Sequence, residues 1–488
     1  MIEKCNNIYE KDKINTECCE KPKNELKKTK SYMGLSKQYY TRLEDKRRNE
    51  LKSNPFLTTQ TYLDTTFGPN GTGIVTTSVN TPTFRAILEQ PDGKLLVLGQ
   101  SEAKGYIARY DKDGNIDTTF GQNGSILSAN ARIFTGGFIQ SNNKIVAVGD
   151  GNYDFIIERF DLSGDLDTSF GSSGIIYTDI SGSDFCNGVL TQSDDKFILY
   201  GNCTVNSLKC GAIVIYDQDG NIDTTFGSSG NGMIHVFNNG MNESIIDIKF
   251  QSDNKMIVAM DVYYSDYSDY DIALVRYDLN GNDDPTFGTN GSVKLDINGQ
   301  LMNIHSIVIL PNDKIVVTGG VNMSSVDIYI LRFNADGSID NTFGSNGNGY
   351  NIQDIGANDY GYSIKLQSDG KFMVVGQESH NSGNSNIALI RFNGDGTLDT
   401  AFGDNGVLIT DVFPNDNDYP YKSALFQTND KLVVAADNLA NNSIILVRYD
   451  IDVETGCCHP NDIKALKKRN STSRSMMNMK VVLKCCNK

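Results

Sequence analysis

Two short segments carry oxygen-bearing side chains at alternating positions. They are Asp111, Asp113 and Asn115, and, with the same spacing, Asp217, Asp219 and Asn221. Calcium loops use Asp or Asn at their first, third and fifth positions, so these six residues are candidate Ca²⁺ ligands. In both segments, however, glycine stands at the fourth position instead of the sixth, and no glutamate closes a loop at the twelfth. The alternative is a turn whose Asp and Asn side chains bond to their own backbone.

The turn interpretation fits this spacing better, and we therefore expect no cofactor, with Ca²⁺ as the one metal to test. A melting temperature that rises with millimolar Ca²⁺ over chelator would indicate a metal, because a ligand that binds only the folded state stabilises it.

Residues typical of catalysis are scattered. The four histidines occupy non-equivalent places in the sequence: His235, His305, His380 and His459. The chain has no G-x-S-x-G elbow, no H-E-x-x-H pair and no phosphate loop of the G-x-x-x-x-G-K-[ST] type. The sequence therefore predicts no catalytic residue and favours a protein that is not an enzyme. An active site assembled from distant segments is the alternative.

Most cysteines lie near the ends of the chain: Cys5, Cys18, Cys19, Cys457, Cys458, Cys485 and Cys486. The other three, Cys186, Cys203 and Cys210, fall within one stretch of 25 residues. Most of the chain between the ends is therefore free of cysteine, so we expect its fold not to depend on disulfides, which fits a reducing compartment. Cys457, Cys458 and His459 could bind a metal, but adjacent cysteines have poor zinc geometry. The alternatives are free, palmitoylated or disulfide-linked cysteines, including links between chains through the cysteines near the ends.

A repeat in the sequence defines the structural elements that carry the residues discussed above. The dipeptide Phe-Gly recurs seven times, about every 56 residues, at Phe67, Phe120, Phe170, Phe226, Phe287, Phe343 and Phe402. Each copy lies in a longer signature such as Leu166-Asp-Thr-Ser-Phe-Gly. Self-similarity at such a period is typical of propellers and other repeat folds.

Each unit contains four short segments with strand patterns. In the first unit they are Gly73–Val79, Phe84–Gln90, Leu95–Gly99 and Tyr106–Tyr110, with an Asp-Gly turn between the second and third. Four strands and about 56 residues fit one propeller blade. The sequence thus predicts an all-β, seven-bladed β-propeller over 62–456, with units near 62–115, 116–165, 166–221, 222–282, 283–338, 339–397 and 398–450.

Ring closure and blade packing follow from this prediction. A ring must pack its last blade against its first, and we expect Tyr62–Phe67 to dock beside the last unit. One aromatic side chain per unit would fill the wedge between neighbouring blades. We therefore assign the seven Phe-Gly phenylalanines a structural role between blades.

The units resemble the delta-60 repeat, a β-propeller repeat of bacterial, often extracellular proteins. The resemblance rests on L-D-x-x-F-G-x-x-G, as in Leu166–Gly174, and on Q-P-D-G-K with the apolar strand after it, as in Gln90–Gly99. It also rests on A-x-x-R-Y/F-x-x-x-G, as in Ala273–Gly281 and Ala388–Gly396, and it covers about Tyr62 to Asp450. It implies a propeller but no shared biochemical activity.

Charge divides the chain into three regions. Met1–Phe56 holds 14 Lys and Arg against 9 Asp and Glu, and Cys457–Lys488 holds 8 against 1. Of the chain's 44 basic and 60 acidic residues, 22 and 50 then lie between these ends. An acidic ring argues against nucleic acid as a partner, whereas the basic tails at 1–61 and 457–488, partly helical or disordered, could contact nucleic acid, an anionic surface or the ring itself.

Three functions remain after these exclusions. The first is a noncatalytic scaffold whose variable loops, such as Tyr263–Tyr270, contact a protein or a glycan. The second is a hydrolase or lyase that uses carboxylates in the central funnel. The third is a structural component of a larger particle, tethered by the basic tails. The sequence has no apolar segment long enough to span a membrane and no typical secretory signal, so an intracellular or particle-associated location is favoured over secretion.

Overall fold

The computed structural model describes residues 62–451, apart from 237–240, 264–269, 298, 381–382 and 422. The basic tails expected at 1–61 and 457–488 therefore lie outside the described residues. No helix in the described part of the chain is both long and apolar enough to cross a membrane.

Within these limits the strands form seven antiparallel four-stranded sheets. The predicted seven-bladed β-propeller is therefore confirmed. Numbered along the chain, the strands begin with β1 (Ile74–Ser78). Blade 1 contains β2 (Thr83–Glu89), β3 (Leu95–Ser101), β4 (Lys104–Tyr110) and β5 (Ser125–Leu127). Blade 2 contains β6 (Ile133–Ile139), β7 (Ile145–Gly151), β8 (Asp154–Phe160) and β9 (Ile175–Thr178).

The remaining blades follow the same plan. Blade 3 contains β10 (Phe185–Thr191), β11 (Phe197–Val205), β12 (Leu208–Tyr216) and β13 (Met233–Val236). Blade 4 contains β14 (Asn242–Phe250), β15 (Met256–Tyr263), β16 (Tyr270–Tyr277) and β17 (Ser292–Leu295). Blade 5 contains β18 (Met302–Ile309), β19 (Ile315–Asn322), β20 (Val326–Phe333) and β21 (Tyr350–Gln353). Blade 6 contains β22 (Tyr360–Leu366), β23 (Phe372–Ser379), β24 (Ser385–Phe392) and β25 (Val407–Thr410).

Blade 7 closes the ring with strands from both ends of the described chain. Its first three strands are β26 (Ala424–Phe426), β27 (Leu432–Asn438) and β28 (Ser443–Tyr449), and β1 pairs antiparallel with β28 as the fourth. Before β1, Leu63 bridges Tyr449, and the Asp64 N–H donates to the Arg448 carbonyl over 2.9 Å. The predicted docking of Tyr62–Phe67 beside the last unit is thus confirmed.

Sequence units and blades are out of phase by one strand. The strand that follows each Phe-Gly is the fourth strand of the blade that comes before it. β5, for example, follows Phe120 and pairs with β4. A sequence unit that begins at Leu-Asp-x-Thr-Phe-Gly therefore spans two neighbouring blades. Because of this overlap, each sequence unit connects two neighbouring blades covalently.

The second strand of each blade is apolar throughout because both of its faces are covered. In β3, Leu95 and Val97 pack in a cluster with Val433 of blade 7. The alternate residues, Leu96 and Leu98, pack in the cluster shared with blade 2. A continuous apolar run is the pattern of a strand buried on both sides. Each fully buried leucine contributes about 2 kcal/mol of hydrophobic free energy.

The Phe-Gly rings lie between neighbouring blades. Phe287 is completely buried and packs against Gly337 in the turn between the third and fourth strands of the next blade. Gly337 has φ +88°, and a Cβ there would lie 2.9 Å from the ring of Phe287. Only glycine therefore suits this position. Rings in five other blades pack against the equivalent glycine of the following blade: Phe67, Phe120, Phe170, Phe226 and Phe343. Phe402 lies 5.0 Å from the ring of Tyr62, centroid to centroid.

A buried arginine covers most of these rings. In blade 4 the Arg276 guanidinium lies 4.8 Å above the ring of Phe287. Its Nε pairs with Asp284 over 2.9 Å, and Lys255 Nζ reaches the same carboxylate oxygen over 3.0 Å. Its Nη1 donates over 2.7 Å to the carbonyl of Ala335, which belongs to blade 5. One side chain therefore joins two blades through stacking, an ion pair and a hydrogen bond.

The same arginine contact recurs around the ring. Six blades carry it, at Arg109, Arg159, Arg276, Arg332, Arg391 and Arg448. In blade 7, Arg448 pairs with Asp64 over 2.7 Å and donates to the carbonyl of Lys112 in blade 1 over 2.6 Å. It thereby joins the last blade to the first. In blade 3, Ile215 occupies this position, and Asp223 is left with Lys196 at 3.1 Å.

The aspartates of this contact are held in the ionised form. Burial alone would raise the pKa of Asp284, but hydrogen bonds from Thr286 and Lys255 and the charge of Arg276 outweigh it. The pKa of Asp284 is therefore well below its usual range. A carboxylate whose folded pKa is depressed stabilises the fold above its unfolded pKa, about 4, and this stability is lost as the pH falls further.

Replacing Arg276 tests how much this contact stabilises the ring. We expect Arg276→Met to lower the free energy of unfolding by about 3 kcal/mol, because it leaves Asp284 buried with one cation fewer. Thermal unfolding followed by circular dichroism measures this loss. The control is Lys112→Met, which removes an exposed ion pair with Asp113 that contributes less than about 1 kcal/mol. Equal melting temperatures for the two variants would contradict the assigned role of the arginine.

Candidate functional site

The innermost strands of all seven blades line one central cavity of about 480 Å³. It lies on the ring axis and receives residues from the first strand of every blade, β2, β6, β10, β14, β18, β22 and β26. We call the face where these strands begin the upper face and the face where they end the lower face. The volume falls in the range of small-molecule sites. The cavity is therefore where side chains from separate blades can converge.

A β-bulge marks the upper part of each inner strand in blades 1 to 6. One residue there has no partner in the neighbouring strand, so the pairing register shifts by one. Bulges re-aim side chains and are common next to functional sites. The bulged residues are Arg85, Thr135, Asn187, Ile246, His305 and Tyr362. In blade 7, Tyr421 lies just before the shorter first strand. The chain thus presents one variable residue at the same place in each of blades 1 to 6, around the channel mouth.

Aromatic side chains gather at this mouth over blades 5 to 7. His305 lies 5.0 Å from Tyr362, and Tyr362 lies 5.5 Å from Tyr421, ring centroid to ring centroid. Tyr360 stacks on Tyr362 at 5.9 Å, and Tyr419 stacks on Tyr421 at 6.0 Å. All five side chains are partly exposed. We call these five residues the tyrosine patch. It is a continuous aromatic surface that faces solvent at the upper end of the channel.

A cation and a buried carboxyl group border the tyrosine patch. The Arg85 guanidinium from blade 1 lies 4.2 Å above the ring of Tyr421. Asp437 of β27 is almost completely buried, and its burial, offset only in part by the charge of Arg85, raises its pKa to about 7. Its Oδ1 has no hydrogen-bond partner among the described residues. Among the described residues, the mouth therefore combines aromatic faces, the Arg85 cation and a carboxyl group, Asp437, that titrates near neutrality.

The six candidate Ca²⁺ ligands lie on the turns of the lower face. Asp111 Oδ1 accepts the backbone N–H groups of Asp113 and Asn115 over 2.9 and 2.8 Å, and the Asn115 amide donates to Asp111 Oδ2 over 2.9 Å. Asp217 makes the same contacts with Asp219 and Asn221. This is the hydrogen bonding of a side-chain-capped turn. Whether Ca²⁺ stabilises the protein stays a prediction for the melting experiment.

Two other groups of carboxylates lie on the upper face, at equivalent places of blades 2 and 5. In each group the carboxylate oxygens lie within 4.8 Å of one another: Asp154, Asp179 and Asp184, and Asp327, Asp354 and Asp359. Asp184 accepts the N–H of Ile180 over 2.6 Å and so closes the loop that leads into β10. Burial raises the pKa of Asp184 to about 6. Asp359 closes the loop before β22 in the same way.

Glu243 has the same place in blade 4 as Asp184 and Asp359 in their blades. Each of these acidic residues lies two positions before the residue that precedes the bulge, which is Ile245 in blade 4. Glu243 is completely buried, and neither carboxylate oxygen has a hydrogen-bond partner in the described part of the chain. Burial raises the pKa of Glu243 to about 8. The folded protein therefore favours the neutral form of this side chain.

We expect Glu243→Gln to stabilise the protein at pH 8 and to have little effect near pH 4. The folded pKa lies above the unfolded value of about 4.3, so the contribution of Glu243 to stability falls as the pH rises between these values. Glutamine has the same shape without the charge, and the gain at pH 8 is on the order of a few kcal/mol. Melting temperatures measured across this range check the result. Asp219→Asn removes an exposed charge and serves as the control, and a gain independent of pH would contradict the assignment.

The other residues noted in the sequence occupy separate places. Among the histidines, His305 belongs to the tyrosine patch, His380 lies 3.3 Å from Glu378, His235 lies in β13, and His459 is outside the described residues. Cys203 and Cys210 form a disulfide across β11 and β12, which the sequence analysis did not expect, and Cys186 is buried and free. The tail cysteines and loop residues 264–269 lie outside the described residues.

The repeat pattern of the sequence did not reveal the channel mouth. A bulge adds one residue to a strand without changing its apolar alternation enough to be visible. The available signal was comparative. When the first strands are aligned on the turns after them, the bulge position holds Arg, Thr, Asn, Ile, His and Tyr, while its neighbours are small or apolar except for Asp247 in blade 4. A position that varies within a regular repeat indicates a role outside packing.

Five stretches of the chain match the family described as domain of unknown function (DUF5122) beta-propeller. They are residues 90–120, 140–170, 251–287, 310–343 and 367–402, together about a third of the chain. Each stretch runs from the first turn of a blade through its second and third strands to the next Phe-Gly or close to it. No curated protein matches the sequence.

Several solved structures are similar to the chain at low sequence identity. Virginiamycin B lyase from Staphylococcus aureus is 11% identical with a TM-score of 0.42, and the match covers 77% of this chain and 98% of that one. An ulvan lyase bound to a fragment of its polysaccharide is 10% identical with a TM-score of 0.46, over 76% of this chain and 94% of that one. A protein of unknown function from Dyadobacter fermentans is 11% identical with a TM-score of 0.40, over 78% and 99%. These similarities say nothing about activity, and the chain is a repeat β-propeller, similar in five of its repeats to a family of unknown function.

Proposed function

We propose that this protein is a noncatalytic binding propeller of the delta-60 type that holds a glycan on the tyrosine patch. The observation that carries the proposal is the convergence of five partly exposed rings from blades 5 to 7 at the channel mouth. A folded chain rarely leaves so many large aromatic groups together at its surface unless they contact a partner.

The chemistry of the patch suits a sugar. Tyrosine combines an apolar face with a polar tip, so one side chain can pack on the C–H face of a sugar ring and bond to its hydroxyl groups. Tyr362 already holds its hydroxyl in place by a 3.0 Å hydrogen bond to Gln377. Arg85 adds donors for sugar hydroxyl or acidic groups beside Tyr421. An extended glycan would lie across the mouth from blade 5 to blade 1.

The glycan is favoured over a protein partner because the patch lies in a row along the rim of a channel. A protein interface of standard size needs about 800 Å² on each partner, which the mouth of a small channel does not offer. A chain of sugar rings is narrow enough to follow the row of tyrosines. The scaffold is rigid here because each ring is attached to a paired strand or packed against a neighbouring ring.

A lyase or hydrolase centred on the channel is the second candidate, and Asp437 favours it. A carboxyl group with a pKa of about 7 can both accept and donate a proton at neutral pH. Asp437→Asn tests this candidate, because asparagine cannot accept and donate a proton at neutral pH. Release of shortened glycan by the wild-type protein, lost in Asp437→Asn, would establish the enzyme, whereas binding without shortening supports the noncatalytic reading.

Tethering to a larger particle rests on the basic tails, which the structure does not describe. It stays a prediction, with removal of both tails and size-exclusion chromatography as its test. Unchanged assembly after removal would contradict it.

Substitution of the patch tyrosines tests the proposed function. We expect the wild-type protein to bind one class of glycan on an array, and Tyr362→Ala or Tyr421→Ala to weaken that binding about tenfold, the effect of losing about 1.4 kcal/mol of stacking. Tyr153→Ala is the matched control, since Tyr153 is 69% exposed on a turn of blade 2. Circular dichroism shows whether the variants keep the fold. Binding that persists in both patch variants, or that falls equally in Tyr153→Ala, would contradict the proposal.

A further inference from the structure

The channel below the tyrosine patch has a charge opposite to that of the chain. Among the described residues that line the cavity, four are charged, and three of these are cations: Arg85, Lys249 and Lys365, against Asp247. The chain as a whole has a net charge of −16. A positive cavity inside an acidic protein concentrates anions, because low-dielectric walls focus the field.

Both carboxylate oxygens of Asp247 already accept hydrogen bonds from neighbouring groups. Its Oδ1 accepts Lys249 Nζ over 2.5 Å and the N–H of Ile248 over 2.9 Å. Its Oδ2 accepts the N–H of Ile307 from blade 5 over 3.1 Å. The carboxylate therefore balances the charge of Lys249 and fixes the inner strands of blades 4 and 5 together. The Asp247 carboxylate therefore does not neutralise a second ammonium group in the cavity.

Lys365 is that second ammonium group. It lies near the lower end of β22, in blade 6, and its side chain points into the cavity. Within the described part of the chain it makes no ion pair and no hydrogen bond, unlike Lys371 on the same hairpin, which pairs with Asp399 over 3.0 Å. Burial and the neighbouring Lys249 ammonium lower the pKa of Lys365 to about 8. The side chain of Lys365 is partly exposed, and an ammonium group that faces a cavity without a counter-ion attracts an anion.

We propose that the central channel binds a small anionic ligand, whose phosphate or carboxylate group lies between Lys365 and Lys249. Ser306 and Ser363 of blades 5 and 6 also line the cavity and add polar groups to it. The cavity of about 480 Å³ has room for a small organic molecule attached to the anionic group. This site is separate from the tyrosine patch and does not depend on the proposed glycan.

Binding of simple oxyanions tests the proposal. The probes are inorganic phosphate and acetate, titrated by calorimetry into the full chain at pH 7 and constant ionic strength, with chloride as the reference salt. We expect the wild-type protein to bind at least one probe and Lys365→Met to bind it at least about tenfold more weakly, as for loss of a charge-assisted hydrogen bond. Lys365→Arg keeps the cation and should retain binding.

Matched controls separate the channel from the rest of the surface. Lys112→Met removes an exposed cation of the lower face and should bind the probe as the wild type does. Tyr421→Ala should also bind it normally, so failure of the glycan proposal leaves this result unaffected. Absence of binding by the wild-type protein, or unchanged binding by Lys365→Met, would overturn the proposal.

A measurement on the unsubstituted protein covers the case in which Lys365→Met does not fold. A lysine with a lowered pKa reacts faster with a small acylating reagent at pH 8, because more of its amine is neutral. We expect mass spectrometry to show rapid acylation of Lys365 and at least a fivefold slower reaction in the presence of phosphate, while Lys112 is unaffected. Equal rates with and without phosphate would contradict the site.

Discussion

The ring depends on the contact made by one arginine side chain in each of six blades. In blade 4, Arg276 stacks on Phe287, pairs with Asp284 and donates to a backbone carbonyl of blade 5. Neighbouring blades also meet through apolar side chains, which favour burial but specify no single angle, and through backbone hydrogen bonds such as the one that the Gly288 N–H donates to the Asp336 carbonyl over 2.8 Å. The planar guanidinium has directional donors, so it sets the position of one blade against the next. In blade 3, Ile215 stands instead of arginine, and the link to blade 4 relies on Phe226 packed against its glycine and on hydrogen bonds such as the one from the Asn187 amide to the Ile245 carbonyl over 2.7 Å.

The two faces of the propeller have different roles. The lower face holds the arginine contacts and the glycine turns, and it is nearly the same in every blade because each element must fit its neighbour. The upper face holds the bulges, the tyrosine patch and the grouped carboxylates, and it differs from blade to blade. A repeat that is regular at one face can therefore vary at the other without loss of packing. Because the upper face can vary without loss of packing, the candidate site lies at the channel mouth on that face.

The sequence was sufficient to predict the ring but not the site. Strand positions, the number of blades and closure by Tyr62–Phe67 follow from turns and apolar runs that recur in register. The phase between units and blades was missed because pairing between Ser125–Leu127 and β4 leaves no local signal. Convergence of Tyr362 and Tyr421 was also missed, since they lie 59 residues apart and meet only when blade 7 packs against blade 6. The Cys203–Cys210 disulfide depends on strand register, which cysteine counting does not provide.

The central claim is that the channel mouth of blades 5 to 7 is a binding surface. A crystal structure of the full chain with a bound oligosaccharide tests it most directly. We expect sugar rings to stack on Tyr362 and Tyr421, next to the Arg85 guanidinium. An oligosaccharide seated on the outer strands of the blades, with the tyrosine patch facing only solvent, would contradict it.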